Sequence, residues 1–199
     1  MTCRLVITGS AGAGKTTLLG MFNAQGVPTL SADDIVHKLL TQDHGVITAI
    51  GKQFPQVVVD NRLDRDRYLA HVFDHPHHLD QVEAILHPRV YQALLNFSAE
   101  HVTLGTPLIA LEIPLYFETA PENFPVDKIL VATAPHHLRQ ERVLARKSMT
   151  LSRFQALADR QSPDAIKKER ADFVLDTSVN IKQLEQEVAP MIAFLQSLH

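Results

Sequence analysis

The stretch Gly9-Ser10-Ala11-Gly12-Ala13-Gly14-Lys15-Thr16 fits the pattern of a phosphate-binding loop, in which a glycine and four residues of any type are followed by Gly-Lys-Ser/Thr. An apolar segment typical of a β-strand, residues 3–8, comes directly before it. Apolar residues at helical spacing follow in residues 17–22. Strand, glycine loop and helix are the context that this motif needs to bind nucleotide phosphates. The sequence therefore predicts a nucleotide site at this loop.

The chemistry of that site follows from the residue types in the loop. Glycines let backbone N–H groups turn inward, and these groups bind anionic phosphates together with the N-terminus of the following helix. Lys15 is expected to reach the β- and γ-phosphates, and the Thr16 hydroxyl is expected to bind Mg²⁺. The predicted ATP-binding residues of the loop are Gly12, Ala13, Gly14, Lys15, Thr16 and Thr17.

Length and charge limit the possible partners. The 199 residues suffice for one α/β domain with a lid or an inserted subdomain. A net charge of −3 gives no overall attraction to nucleic acid or to an anionic membrane. With the single Cys3, no leader pattern and no apolar run long enough to span a bilayer, we expect a cytoplasmic protein. A monomer is the default expectation, because nothing in the sequence demands a partner protein.

A short second strand is predicted at residues 27–30, and Asp33 and Asp34 follow it. Ligands of open parallel sheets bind at the carboxyl ends of the strands. Asp33 could therefore accept a proton from an attacking hydroxyl or help to position Mg²⁺. Alternatively, it only supplies favourable negative charge to a helix start, which is the interpretation we prefer for Asp34. Spacing alone leaves both alternatives open for Asp33.

Residues 60–100 have helical patterns and no predicted strand, and Pro88 is expected to interrupt the second helical run. A helical insertion in an α/β sheet often provides a pocket or a cover for the second substrate. Its basic residues are candidate partners of an anionic substrate, or alternatively belong to a solvated helical face; they are Arg62, Arg65, Arg67, His87 and Arg89.

Glu112 interrupts an apolar strand pattern at residues 108–113. A buried carboxylate needs a partner, and the candidates are a metal-bound water, Lys15 or an arginine. Further strands are predicted at residues 127–133 and 171–176, with a closing helix at 181–198.

A helix carrying Arg139, Arg142 and Arg146 is predicted next, with Arg142 and Arg146 on one face because they are four residues apart. Arginines on a mobile helical lid can close on a triphosphate and stabilise the charge in transfer. The alternative is an ordinary basic surface.

Two histidine-rich segments, residues 75–78 and 136–137, lack a zinc-type ligand pattern and are predicted to be solvated.

Further motifs occur in a fixed order along the chain. They are Ser31-Ala32-Asp33-Asp34-Ile35-Val36-His37, Leu63-Asp64-Arg65, Ile85-Leu86-His87-Pro88-Arg89-Val90, Glu112-Ile113-Pro114-Leu115-Tyr116-Phe117-Glu118 and Ala171-Asp172-Phe173-Val174-Leu175-Asp176. Together with the phosphate loop, Arg142, Arg146, Gln161 and Lys167, this set resembles the dephospho-coenzyme A kinase family over nearly the whole chain.

The resemblance implies an α/β P-loop three-layer fold with a central parallel sheet of about five strands, a helical substrate subdomain and a helical lid. In this single kinase unit the implied core covers residues 1–58, 102–134 and 163–199. The implied coenzyme A-binding insertion covers residues 59–101, and the implied lid covers residues 135–162.

The resemblance also implies an activity: transfer of the γ-phosphoryl group of ATP, with Mg²⁺, to the ribose 3′-hydroxyl of dephospho-coenzyme A. It implies that Asp33 is the base or the positioning group for that hydroxyl, that Lys15 and Arg142 are catalytic, and that Arg142 and Arg146 bind ATP from the lid. His87 and Arg89 fall in the implied substrate subdomain. Glu112 is the further candidate for substrate binding.

The chain departs from the family pattern at four positions. Ser31 replaces an aspartate, Thr177 replaces the asparagine that follows the last strand, and Ser10 and Ala11 replace glycine and isoleucine in the loop.

Two other functions remain open: a kinase of the same fold acting on another small metabolite, and a nucleotide-dependent switch. The Asp-x-x-Gly and Asn-Lys-x-Asp motifs of guanine-nucleotide switches are missing from the sequence.

Overall fold

The structure is a computed structural model that describes residues 1–74, 76–147 and 149–198. It contains two compact units. The first consists of residues 1–31 and 97–199, less the undescribed positions, and the second consists of residues 32–96.

A parallel five-stranded sheet forms the centre of the first unit, in the order β2-β5-β1-β6-β7. Its strands are β1 (Cys3–Thr8), β2 (Thr29–Ser31), β5 (Leu108–Glu112), β6 (Lys128–Thr133) and β7 (Phe173–Asp176). All five residues of β5 are buried, as expected for a strand covered on both faces. The predicted fold class, an α/β protein with a parallel sheet of about five strands, is confirmed.

Helices accompany this sheet in the first unit. They are α1 (Lys15–Ala24), the end of α5 (Pro76–Thr103), α6 (Tyr116–Thr119), α7 (His136–Leu144), α8 (Leu151–Asp159), α9 (Asp164–Glu169) and α10 (Ile181–Ser197). One apolar core joins the sheet to α1 and α10; it includes Leu5, Leu18, Phe22, Ala110 and Val188. Each large side chain in such a core contributes about 1.5–3 kcal/mol through removal of apolar surface from water.

The carboxyl ends of the strands lie side by side at one edge of the sheet. Ser31 at the end of β2 pairs in register with Glu112 at the end of β5, and Thr133 of β6 pairs with Asp176 of β7. Since β1 ends at Thr8, the glycine loop leaves the sheet at this same edge. The glycine loop and Glu112 therefore lie at the edge where the strands end, which is where open parallel sheets bind their ligands.

The predicted helix with three arginines is shorter than expected. The helix α7 ends at Leu144, so Arg146 lies in the turn beyond it. The prediction that Arg142 and Arg146 share a helix face is wrong, because the spacing rule applies only while the helix continues.

The second unit contains α2 (Ala32–Gln42), α3 (His44–Gln53), a 3-10 turn (Pro55–Val57), α4 (Arg65–Asp74) and the first part of α5. Its own apolar core includes Val46, Phe54, Tyr68, Val82 and Leu86. A small antiparallel hairpin, β3 (Val58–Val59) with β4 (Arg62–Leu63), joins α3 to α4.

The hairpin corrects the expectation of no strand in residues 60–100, because β4 lies there. The two turn residues between the strands, Asp60 and Asn61, have φ values of 49° and 58°. Two consecutive left-handed residues are typical of a tight hairpin turn, and Asp and Asn tolerate this conformation. Strands of only two residues are too short to give an alternating pattern in the sequence.

Pro88 also behaves differently from the prediction, because α5 continues through it from Pro76 to Thr103. A proline within a helix disturbs the carbonyls of the preceding turn. The Arg89 guanidinium donates to one of them, the Ile85 carbonyl, at 2.7 Å. The carbonyl that lacks its backbone donor because of Pro88 is the preceding one, that of Ala84. Within the described ranges, no helix has the length and apolar character needed to cross a membrane.

Candidate active site

The phosphate loop joins β1 to α1 in a backbone conformation that requires glycine. Gly12 and Gly14 have φ values of 78° and 82°, in the left-handed region. A Cβ on Gly14 would lie 2.8 Å from the Thr177 hydroxyl, and one on Gly12 would collide with the backbone of Arg139. Glycine at these positions therefore permits both the loop's curvature and the close approach of the neighbouring segments.

Lys15 is the first residue of α1, and its side chain is buried against the loop. Its ammonium group donates to the Gly9 carbonyl at 2.9 Å and to the Ser10 carbonyl at 3.2 Å. The charge therefore lies inside the curve of the loop, as the motif predicts for a phosphate-binding lysine.

Thr16 and Glu112 meet at the start of α1. The Thr16 hydroxyl donates to Glu112 Oε1 at 3.1 Å, and Glu112 is 1% exposed. The sequence indicated that this carboxylate needs a partner but did not suggest Thr16. Because the hydroxyl hydrogen points at the carboxylate, the lone pairs of the Thr16 oxygen stay available to a cation. Hydroxyl and carboxylate oxygens are donors that suit Mg²⁺.

Arg142 connects α7 to the loop and to the segment after β7. Its guanidinium donates to the Gly12 carbonyl at 3.2 Å, to the Thr177 hydroxyl at 3.0 Å and to the Thr177 carbonyl at 2.7 Å. The planar fork of an arginine suits such multiple contacts. Of the two predicted lid arginines, Arg142 is thus placed against the phosphate loop, whereas Arg146 is exposed beyond the end of α7.

Thr177 is a site residue whose role the sequence did not predict. Its hydroxyl lies 2.9 Å from the Ala13 carbonyl and 3.2 Å from the Thr133 carbonyl, and it also accepts from Arg142. In the sequence it stood out only as a departure from the family pattern, which was expected to alter contacts with the nucleotide base. In the structure, this buried hydroxyl interacts with the protein itself and ties β6, the loop and α7 together.

Asp33, His87 and Arg89 belong to the second unit. Asp33 is an exposed residue in the first turn of α2, two residues beyond the end of β2. His87 is half-buried and contacts Tyr91, while Arg89 is exposed and bonded to its own helix. Their roles toward a substrate stay predictions.

Among the ionisable groups near the sheet, Asp176, Tyr116 and Cys3 have shifted pKa values. Hydrogen bonds from Ser178 lower the pKa of Asp176. Burial raises the pKa of Tyr116, and burial raises the pKa of the Cys3 thiol to about 11. At neutral pH these groups are therefore a carboxylate, a phenol and a thiol. None of these three shifts brings a group closer to the neutral range in which proton transfer is most efficient.

Of the two histidine-rich segments, the structure describes His77, His78, His136 and His137. No group of three or more His, Cys, Asp or Glu side chains suited to a metal ion occurs among residues 1–74, 76–147 and 149–198. His136 and His137 are exposed, as predicted, and His77 is exposed. His78 is half-buried and stacks on His71, which corrects the expectation of solvation there. His75 lies outside the described residues.

Removal of the Arg142 side chain is expected to lower turnover more than nucleotide binding. Arg142→Ala should reduce kcat about 10- to 100-fold, because a positioned cation beside the phosphate loop stabilises charge that develops during transfer. Steady-state kinetics together with ATP titration would measure both quantities. Arg142→Lys, which keeps the charge but loses the fork, is the matched variant. An equal loss of kcat and of ATP affinity would instead indicate ground-state binding.

Comparison with known proteins identifies relatives that cover nearly the whole chain. The family model described as dephospho-CoA kinase matches residues 4–183. A dephospho-CoA kinase of Brucella melitensis is 40% identical over 191 residues, covering 96% of this chain and 94% of the relative. A crystal structure from Thermus thermophilus has a TM-score of 0.78 at 31% identity, with 98% of both chains covered. A dephospho-CoA kinase structure from Campylobacter jejuni has a TM-score of 0.65 at 24% identity, covering 98% of this chain and 97% of that one, and supports the fold.

Proposed function

The chain belongs to the dephospho-CoA kinase family, and we propose that it transfers the γ-phosphoryl group of ATP to the ribose 3′-hydroxyl of dephospho-coenzyme A, giving coenzyme A and ADP. This is the last step of coenzyme A biosynthesis. The observation that carries the proposal is the family match over residues 4–183, which includes a phosphate loop held between a central strand and a helix.

The nucleotide phosphates are bound by the loop. Backbone N–H groups of residues 12–17 and the N-terminus of α1 provide a partial positive charge. The Lys15 ammonium is already inside the loop, 2.9 Å from the Gly9 carbonyl. It exchanges carbonyl contacts for phosphate oxygens when ATP binds, and so faces the charge that develops on the transferred group.

Thr16 would hold Mg²⁺ through its hydroxyl oxygen, with Glu112 behind it as the acceptor of the hydroxyl hydrogen. When bound, Mg²⁺ neutralises charge on the β- and γ-phosphates. Glu112 fixes the direction in which the Thr16 lone pairs point, and its own negative charge favours a cation nearby. In this proposal Glu112 supports the Mg²⁺ site, in addition to the substrate-binding role predicted from the sequence.

Asp33 accepts the proton of the 3′-hydroxyl or orients that hydroxyl for in-line attack. The proposal rests on the family resemblance and on the position of Asp33 directly after β2, whose carboxyl end pairs with that of β5. His87 and Arg89 serve the second substrate from the helical unit. Arg89 is exposed, and its guanidinium has further N–H donors besides the one bonded to the Ile85 carbonyl.

Arg142 and Arg146 bind the nucleotide from the lid. Arg142 reaches the loop through the Gly12 carbonyl, so little movement is needed for it to approach the phosphates. Arg146, exposed beyond α7, depends on movement of its turn. In this proposal the protein works in the cytoplasm as a monomer.

An acceptor panel tests the choice of substrate. ADP release from MgATP should accelerate with dephospho-coenzyme A and remain near the background with AMP or shikimate as acceptor. A stronger acceleration by another acceptor would favour the alternative kinase, and ATP binding without acceleration by any acceptor would favour the switch.

Chelation of Mg²⁺ with EDTA should abolish the acceleration of ADP release, and added Mg²⁺ should restore it.

A further inference from the structure

The hydroxyl of Ser10, in the first half of the phosphate loop, lies between two side chains of α9. It donates to Asp164 Oδ1 at 2.5 Å and accepts from the Lys167 ammonium at 3.2 Å. Ser10 is 5% exposed and Lys167 is fully buried. The hydroxyl therefore uses its hydrogen and a lone pair in contacts with charged groups, which are stronger than neutral hydrogen bonds.

Both α9 charges have a second partner that does not involve the loop. Asp164 forms an ion pair with Arg139 at 3.0 Å, and Lys167 forms one with Glu118 at 3.4 Å. If the Ser10 hydroxyl is removed, each charge keeps its oppositely charged neighbour. Loss of the hydroxyl should consequently weaken the connection to the loop without leaving an unpaired buried charge.

Gln161, just before α9, makes a neighbouring contact with the same half of the loop. Its side-chain oxygen accepts a hydrogen bond from the Ala11 N–H at 2.9 Å. Residues 161–167 thus hold two consecutive loop residues, Ser10 and Ala11. These are two positions at which the chain departs from the glycine and isoleucine of the family pattern.

We propose that Ser10 is a positioning residue for nucleotide binding, which holds the first half of the phosphate loop in its binding conformation through Asp164 and Lys167. The inference rests on the proposed function, since it presupposes that the loop binds ATP. Ordering the loop before ATP arrives removes part of the entropy cost of binding. Loss of this ordering should reduce ATP affinity more than the rate of the chemical step, because Ser10 lies outside the residues predicted to contact the phosphates.

Ser10→Ala tests this directly. The dissociation constant of MgATP, measured by calorimetric titration, should rise about tenfold, because a hydrogen bond to charged groups is lost. At saturating ATP, kcat should stay within about twofold of the wild type. Ser197→Ala, which removes an exposed hydroxyl at the end of α10, is the matched control and should change neither quantity.

A second variant tests the route through α9. Asp164→Asn should weaken ATP binding several-fold in the wild-type background and clearly less in the Ser10→Ala background, where the connection through the hydroxyl is already broken and only the ion pair with Arg139 is left to weaken. Additive losses would overturn the proposed route.

Other outcomes separate this proposal from the function itself. Unchanged ATP affinity in Ser10→Ala, with or without a lower Tm, would show that the hydroxyl only packs α9 and would overturn the positioning role. Loss of kcat at unchanged affinity would also overturn it. Failure of the wild-type chain to bind MgATP would count against the proposed function instead. Ser10→Gly, which restores the family residue, provides the same test if the alanine variant does not fold.

Discussion

Lys15→Ala is expected to lower kcat about 10²- to 10³-fold, with weaker ATP binding in addition. The substitution removes the cation that the loop holds within 2.9 Å of the Gly9 carbonyl, and with it a fixed partner of the developing negative charge. Initial rates over a range of ATP concentrations would give kcat and KM separately.

The control is Lys182→Ala, which removes an exposed lysine from the first turn of α10. Its kinetics should match the wild type. If Lys15→Ala retained near wild-type rates while the control behaved as expected, the assignment of residues 9–16 as the phosphate loop would be wrong.

Asp33→Asn is expected to lower kcat about 10²- to 10⁴-fold with little change in ATP affinity. Asparagine has nearly the same shape but cannot accept the proton of the attacking hydroxyl, and general-base catalysis contributes a factor of this size. The measurement is kcat at saturating dephospho-coenzyme A, together with ATP titration of the free protein.

Asp34→Asn is an unusually close control. Asp33 and Asp34 are both exposed and both lie in the first turn of α2, so they contribute similarly to the helix terminus. Asp34→Asn should leave kcat unchanged. Equal effects of the two substitutions would indicate a helix-capping role, and an unchanged kcat in Asp33→Asn would require another base.

Local patterns in the sequence were sufficient to predict the sheet. Four of the five parallel strands carry an apolar run, β2 is a three-residue strand in which only Leu30 is apolar, and the glycine loop has a fixed order of residues. The hairpin at Val58–Leu63 could not be predicted in this way because its strands are two residues long. The continuation of α5 through Pro88 depends on the surroundings of the helix, which override the local preference of a proline.

The contacts of the site were the least predictable part. Thr16 and Glu112 are 96 residues apart, and Arg142 and Thr177 are 35 apart. Spacing rules relate residues within one helix or strand and give no information about pairs this far apart in the sequence. The end of α7 at Leu144 shows the same limitation, because it separates Arg146 from the face of Arg142. Thr177 and Ser10 were recognisable only as departures from a family pattern, and the structure supplies their hydrogen-bonding partners.

The most direct test of the central claim is the stoichiometry of the reaction of the purified protein with MgATP and dephospho-coenzyme A. Chromatography and ³¹P NMR would quantify ADP and coenzyme A and locate the transferred phosphate. We predict one coenzyme A formed for each ADP, with the new phosphate on the ribose 3′-oxygen and no ADP release beyond background without the acceptor. ADP release that does not depend on dephospho-coenzyme A, or a product phosphorylated elsewhere, would contradict the account.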